Sequence, residues 1–146
     1  MANVTLNLTG TISASSLSDG SGNYQLSSIP AGGNYTVTPV KAARAPGSNG
    51  INTVDVIAVQ RHFLSILLLT GCPLSAADVN GDGSVTTVDV IAIQRFFLVG
   101  STGIANVGSY QFSPTNRTYQ GVTINQTAQN YNAIVFGDVA SPFANP

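Results

Sequence analysis

The chain has 146 residues, a net charge of −1, 43% hydrophobic residues and only 8% charged ones. That balance excludes a disordered chain and offers no basic footprint for nucleic acid or an anionic membrane. With no Glu, no Trp, one His, one Lys and one Cys, the inventory leaves few groups for acid/base or nucleophilic catalysis, argues against an enzyme and rules out an intramolecular disulfide.

Residues 1 to about 41 read as strands. Val4, Leu6 and Leu8 alternate with polar residues, SDGSGN turns, YQL extends, PAGGN turns again and YTVTPVK runs on. The alternation starts so early that native flanking sequence is expected beyond the first residue. Residues from about 108 to 137 return to the same idiom in SYQFSP, GVTINQ and NYNAIVF. Between these ends, residues 53 to 66 and 87 to 99 carry helical spacing, with Val56, Val59, Phe63 and Leu64 on one stripe and Val90, Ile93, Phe97 and Leu98 on the other. The apolar run FLSILLLTGCPL at 63 to 74 is too short to span a bilayer and is expected to be a buried helix end. Five N-x-T sequons, at Asn3, Asn7, Asn34, Asn116 and Asn125, are read as incidental in a chain so rich in Asn and Thr.

The helical part is an internal repeat. TVDVIAVQRHFL (53 to 64) and TVDVIAIQRFFL (87 to 98) agree at ten of twelve positions with an offset of 34 residues. Two helices with the same apolar stripe bury it most economically against each other, leaving Gln60, Arg61, Gln94 and Arg95 on outer faces.

Ahead of the second helix lies DVNGDGSVTTVD, residues 78 to 89. An EF-hand-type loop needs side-chain oxygens at positions 1, 3 and 5, Gly at 6, a carbonyl at 7, a water or side chain at 9 and a carboxylate at 12. Asp78, Asn80, Asp82, Gly83, Ser84, Thr86 and Asp89 fill those places in order, which points to a hard cation, Ca²⁺ before Mg²⁺. The alternative is an Asx-type turn followed by a capped helix. The first copy, RAPGSNGINTVD (44 to 55), is degraded: Arg44 stands at position 1 and Pro46 at 3, with Ser48, Asn52 and Asp55 left as a weak second ligand set, or Asp55 as a cap alone.

Two short loops, each followed by a helix carrying a QR-x-F-L pattern, resemble the dockerin family over roughly residues 44 to 100. The resemblance implies calcium binding and a cohesin-like partner. It would place Thr87, Val88, Gln94 and Arg95, with Thr53, Val54, Gln60 and Arg61 in the other copy, at that partner. The flanks, DGSGNYQLSSIPAGGNYTVTPVK and SYQFSPTNRTYQGVTINQTAQNYNAIV, resemble carboxypeptidase-regulatory-like, transthyretin-like β-sandwiches, which usually have one strand more than this chain offers.

The expected fold class is therefore α+β: an antiparallel β-sandwich (1–42 with 107–140) carrying an inserted helical dockerin-like calcium unit (43–106). The expected function is that of a non-catalytic, calcium-stabilised stalk module in a secreted or cell-surface bacterial protein. Its rivals are a cohesin-binding assembly module and an accessory, carbohydrate-associated domain of a secreted hydrolase. No nucleic acid partner and no membrane insertion are expected.

Overall fold

The structure, a computed structural model, describes residues 1–103 and 105–140. Its elements divide between two compact units, so the fold is mixed α+β with antiparallel sheets.

The first unit comprises Met1–Lys41 and Phe112–Ala133. Its strands β1 (Thr5–Gly10), β2 (Ala14–Leu17), β3 (Gly33–Val40) and β5 (Arg117–Val122) make one antiparallel sheet in the order β2-β1-β3-β5. Period-two alternation sends Leu6, Leu8, Tyr35 and Val37 into a common core with Val4, and Phe112, Tyr119 and Tyr131 pack onto it. Leu8 sits opposite Val37 and Gly10 opposite Tyr35, which fixes the register. Where β3 meets β5 the register slips between Gly33 and Tyr35, and Gly121 answers it with φ +56 and an N–H given to Asn34 Oδ1 at 2.8 Å. The expected strand at YQL does not form: residues 24–27 are irregular, although Tyr24 and Leu26 still pack onto the core. The strand expected at GVTINQ lies earlier, at RTYQGV, because its pairing with β3 runs out at Val122.

The second unit comprises Ala42–Gln111 and residues 134–140. It holds α1 (Thr53–Phe63), α2 (Gly71–Ala77) and α3 (Thr87–Phe97). The sequence pattern places 134–140 with the strands. Instead, Val135 and Val139 are buried in the helical unit's core with Ile51, Val59, Val79, Ile93, Phe96 and Val107. The boundary between the units falls inside β4 (Tyr110–Ser113) and β6 (Asn132–Val135), which pair with each other as a two-stranded sheet.

Both long helices start and stop in the same way. Asn52 and Thr86 are N-caps in complete capping boxes with Asp55 and Asp89. At the far ends Ser65 and Val99 adopt φ +57 and +62, their N–H groups go to the carbonyls of His62 and Phe96, and those of Ile66 and Gly100 go to Arg61 and Arg95. These are two Schellman closures. Because the first one turns the chain out of the helix, the run after α1 is not a buried helix end: Leu64, Ile66, Leu67 and Leu68 are exposed. The stripe predicted through Phe63, Leu64, Phe97 and Leu98 also differs. Val59 and Ile93 are buried as expected, but the deep residue at the end of α3 is Phe96, with Phe63, Leu64 and Leu98 outside. Continuing the 3.6-residue period from Asp89 through Ile93 reaches Phe96 before Phe97.

Candidate metal loops and helical face

Residues 78–89 wrap around their own carboxylates. Asp78 Oδ1 accepts from the N–H of Gly81 (2.9 Å) and Asp82 (3.2 Å), and its Oδ2 accepts from that of Gly83 (2.9 Å). Asn80 Nδ2 donates to Asp82 Oδ2 at 2.8 Å, and the Ser84 N–H donates to Asp82 Oδ1 at 2.9 Å. Gly83 has φ +86, and a Cβ there would meet nothing within 4 Å, so glycine is required by backbone conformation and not by space.

Asp89 reaches back from the first turn of α3 and is wholly buried. Its Oδ1 accepts from the N–H of Val79 (3.0 Å) and Asn80 (3.3 Å), its Oδ2 from the N–H and hydroxyl of Thr86 (2.8 and 3.2 Å). A carboxylate has about four acceptor sites, so protein donors occupy those of Asp89 while Asp78 and Asp82 keep lone pairs to spare. The loop is oxygen-only and anionic, a donor set that fits calcium. Among the described residues no three His, Cys, Asp or Glu side chains converge as a ready-made ligand group.

The first copy is assembled differently. Asp55 is also wholly buried, and its Oδ2 accepts from the Asn52 N–H at 2.9 Å. Its Oδ1, however, accepts from the N–H of Val139 (2.9 Å) and Ala140 (3.0 Å). Asp138-Val139-Ala140 therefore presents its amides to Asp55 as Asp78-Val79-Asn80 does to Asp89. Gly137 lets this segment approach the core: at φ +92, a Cβ on it would come within 2.8 Å of Val107 Cγ1. Both oxygens of Asp138 are buried without a hydrogen-bond partner. Burial pushes its carboxyl up to about 6, the Asp55 charge adds to the rise and the Arg44 guanidinium opposes it. Ser48 Oγ is buried without a hydrogen-bond partner too. The sequence reading did not single out Asp138; the only signal was the echo of ADVN (77–80) in GDVA (137–140).

Thr53, Val54, Gln60 and Arg61 on α1 and Thr87, Val88, Gln94 and Arg95 on α3 are all exposed. Together they form two copies of one surface, flanked by the exposed Ile57 and Ile91.

Residues 47–98 match the family model of the dockerin type I domain. This segment is dockerin-like. It is about a third of the chain, and dockerin domains are non-catalytic modules that bind calcium. No curated protein and no solved structure matches the chain. The core of the dockerin-like unit extends past the match, taking in Val107, Val135 and Val139. No helix among the described residues is long and apolar enough to cross a membrane.

Proposed function

We propose that this chain is an assembly module of a secreted or cell-surface protein. Its 78–89 loop holds Ca²⁺, and its two-copy helical face binds a cohesin-like partner. The observation that carries this reading is the exposure of all eight residues expected at the partner, in matched positions on α1 and α3. Asp78, Asn80 and Asp82 supply side-chain oxygens to the ion, Ser84 its carbonyl, Thr86 the ninth position, and Asp89 closes the loop from the helix. Calcium stabilises the fold by mass action, by about 2.7 kcal/mol at about 100 Kd.

The test combines two measurements. Calorimetric titration of chelator-treated protein should detect calcium binding and a raised melting temperature, both lost in Asp82→Ala. Pull-down on immobilised cohesin should survive Gln94→Ala/Arg95→Ala alone and Gln60→Ala/Arg61→Ala alone, and fail when all four are changed. Calcium binding without any cohesin capture would leave the module a calcium-stabilised stalk.

One observation favours that stalk reading as the alternative. Val135 and Val139 lie in the core of the dockerin-like unit, so chain well past the C-terminal end of the matched segment is built into it. The flanking strands suit a transthyretin-like β-sandwich in the first unit. A carbohydrate-associated role has less support, because Tyr110, Phe112, Tyr119 and Tyr131 pack against cores and do not line an exposed row.

A further inference from the structure

We propose that residues 136–140 are a strap through which an ion in the second loop also fixes the first turn of α1, so that one calcium orders both copies of the helical face. This rests on the calcium reading of the 78–89 loop and adds the route by which that loop governs the other copy.

The first copy cannot hold its helix as the second does. Asp89 draws its two loop amides from Val79 and Asn80, positions 2 and 3 of its own loop. The same positions of the first loop are Ala45 and Pro46. Proline has no N–H, so that loop has no matching pair to give. Asp55 takes its pair from Val139 (2.9 Å) and Ala140 (3.0 Å) instead, and keeps the Asn52 N–H on its other oxygen. The carboxylate that caps α1 is therefore satisfied by chain lying beyond both loops.

That chain is fastened at its other end to the second loop. The Gly137 N–H donates to the Ala76 carbonyl at 2.8 Å, and the Asn106 N–H donates to the Val79 carbonyl at 2.7 Å. The two acceptors stand two residues before and one residue after Asp78, the leading acid of the loop. Asn106 is tied to the strap in turn. Its carbonyl accepts the Ser109 N–H at 2.9 Å, the Ser109 carbonyl accepts the Phe136 N–H at 3.0 Å, and the Phe136 carbonyl accepts the Gly108 N–H at 2.9 Å. A Cβ on Gly137 would come within 2.8 Å of Val107 Cγ1 and within 3.5 Å of Ile51 Cδ1 and Ile93 Cγ1, so the strap lies against core residues of both copies. An ion bound by Asp78 restrains the chain on either side of it, which is where the strap is attached. The backbone hydrogen bonds are contiguous from there to Val139 and Ala140, and such a network carries restraint from one site to another. Thr53 and Val54, expected at the partner, lie in the turn that Asp55 caps.

The full chain is followed by residue-resolved amide exchange in calcium and in chelator, as wild type, Asp82→Ala and Ala140→Pro, with a calorimetric calcium titration of each. We expect calcium removal to speed exchange at Val139 and Val54 at least about fivefold, the lower end of ordinary coupling between sites, and to affect the middle of α1 less. In Asp82→Ala both amides should exchange at the fast rate with or without calcium. Coupling is reciprocal. Ala140→Pro removes one donor to Asp55 from an exposed position outside the loop, and it should therefore raise the calcium Kd. Exchange at Val139 and Val54 that ignores calcium while Gly81 and Gly83 respond would overturn the proposal. Equal acceleration at every amide of the unit would overturn it too, because calcium would then act on the whole fold and not along the strap, as would an unchanged Kd in Ala140→Pro. Failure of the calcium reading itself would look different, with the amides of Gly81 and Gly83 ignoring calcium as well.

Discussion

Asp55 Oδ1 accepts the N–H of Val139 at 2.9 Å across 84 residues of chain. This contact, with its neighbour to Ala140, fastens residues 138–140 onto the first turn of α1. It gives one buried carboxylate two tasks, capping a helix and anchoring a distant segment. In Asp55→Ala the amides of Asn52, Val139 and Ala140 lose their acceptor. An unsatisfied buried donor costs about 1–3 kcal/mol, and part of that is recovered by water at the exposed Ala140. We expect a loss of roughly 3 kcal/mol in denaturant unfolding of the full chain. Amide exchange at Val139 should also accelerate far more than at residues of the first unit. Unchanged protection at Val139 would show that the anchor is not Asp55.

The closing turns of α1 and α3 carry a different kind of cost. Val99 sits at φ +62, a left-handed conformation that crowds a β-branched side chain, and that side chain is 73% exposed. Val99→Gly removes the clash and gives up almost no burial. It should raise stability by about 1 kcal/mol, read as a higher midpoint with an unchanged denaturant slope. A lower midpoint would mean that the valine's contact near Gly47 outweighs the strain.

Much of the second unit was legible because it is written twice. The two twelve-residue helical segments differ only at Val59/Ile93 and His62/Phe96, and three of those four residues are fully buried. The largest core difference between the copies falls at one of the positions where they diverged, His62 against Phe96. His62 takes the place of Phe96 without filling it, and its Nδ1 accepts the Leu69 N–H at 2.9 Å instead. The loop at 78–89 could be read because its ligand spacing is local. Asp138 could not: its relation to Asp55 spans 83 residues, and only folding puts Val139 where Val79 has its counterpart. Helix α2 was missed because GCPLSAA, seven residues long, shows no period. The leucine run was misplaced because hydropathy records how apolar a segment is but not where the preceding helix lets go of the chain.

That run supplies a direct check. Leu67 and Leu68 follow the Schellman turn and are 59% and 65% exposed. Replacing both with Ser should move unfolding by no more than about 0.5 kcal/mol per site, the range for surface positions. Buried leucines would cost several times as much. A loss of more than about 2 kcal/mol for the pair would restore the helix-end reading.

In the first unit the aromatic core sets an alkaline limit. Tyr131 donates its hydroxyl to the Val37 carbonyl at 3.0 Å, and burial pushes its phenol up to about 12, with smaller contributions from Tyr24 and Tyr119. Arg117, 5.4 Å from the ring centroid, opposes the rise. The folded state therefore holds the proton more tightly than the unfolded chain, where a tyrosine titrates near 10. Stability from this residue is fully present below about pH 10 and is lost as pH climbs toward about 12. Burial also raises Tyr24 and Tyr119, so they act in the same direction. Tyr131→Phe cannot ionise: it should be less stable at neutral pH by about 1 kcal/mol for the lost hydrogen bond, yet lose less stability than the wild type between pH 10 and 12. Phenolate absorbance followed beside the melts would show Tyr131 ionising late, together with unfolding. Its appearance near pH 10 in protein that is still folded would mean that neither the burial nor the Val37 contact holds the proton.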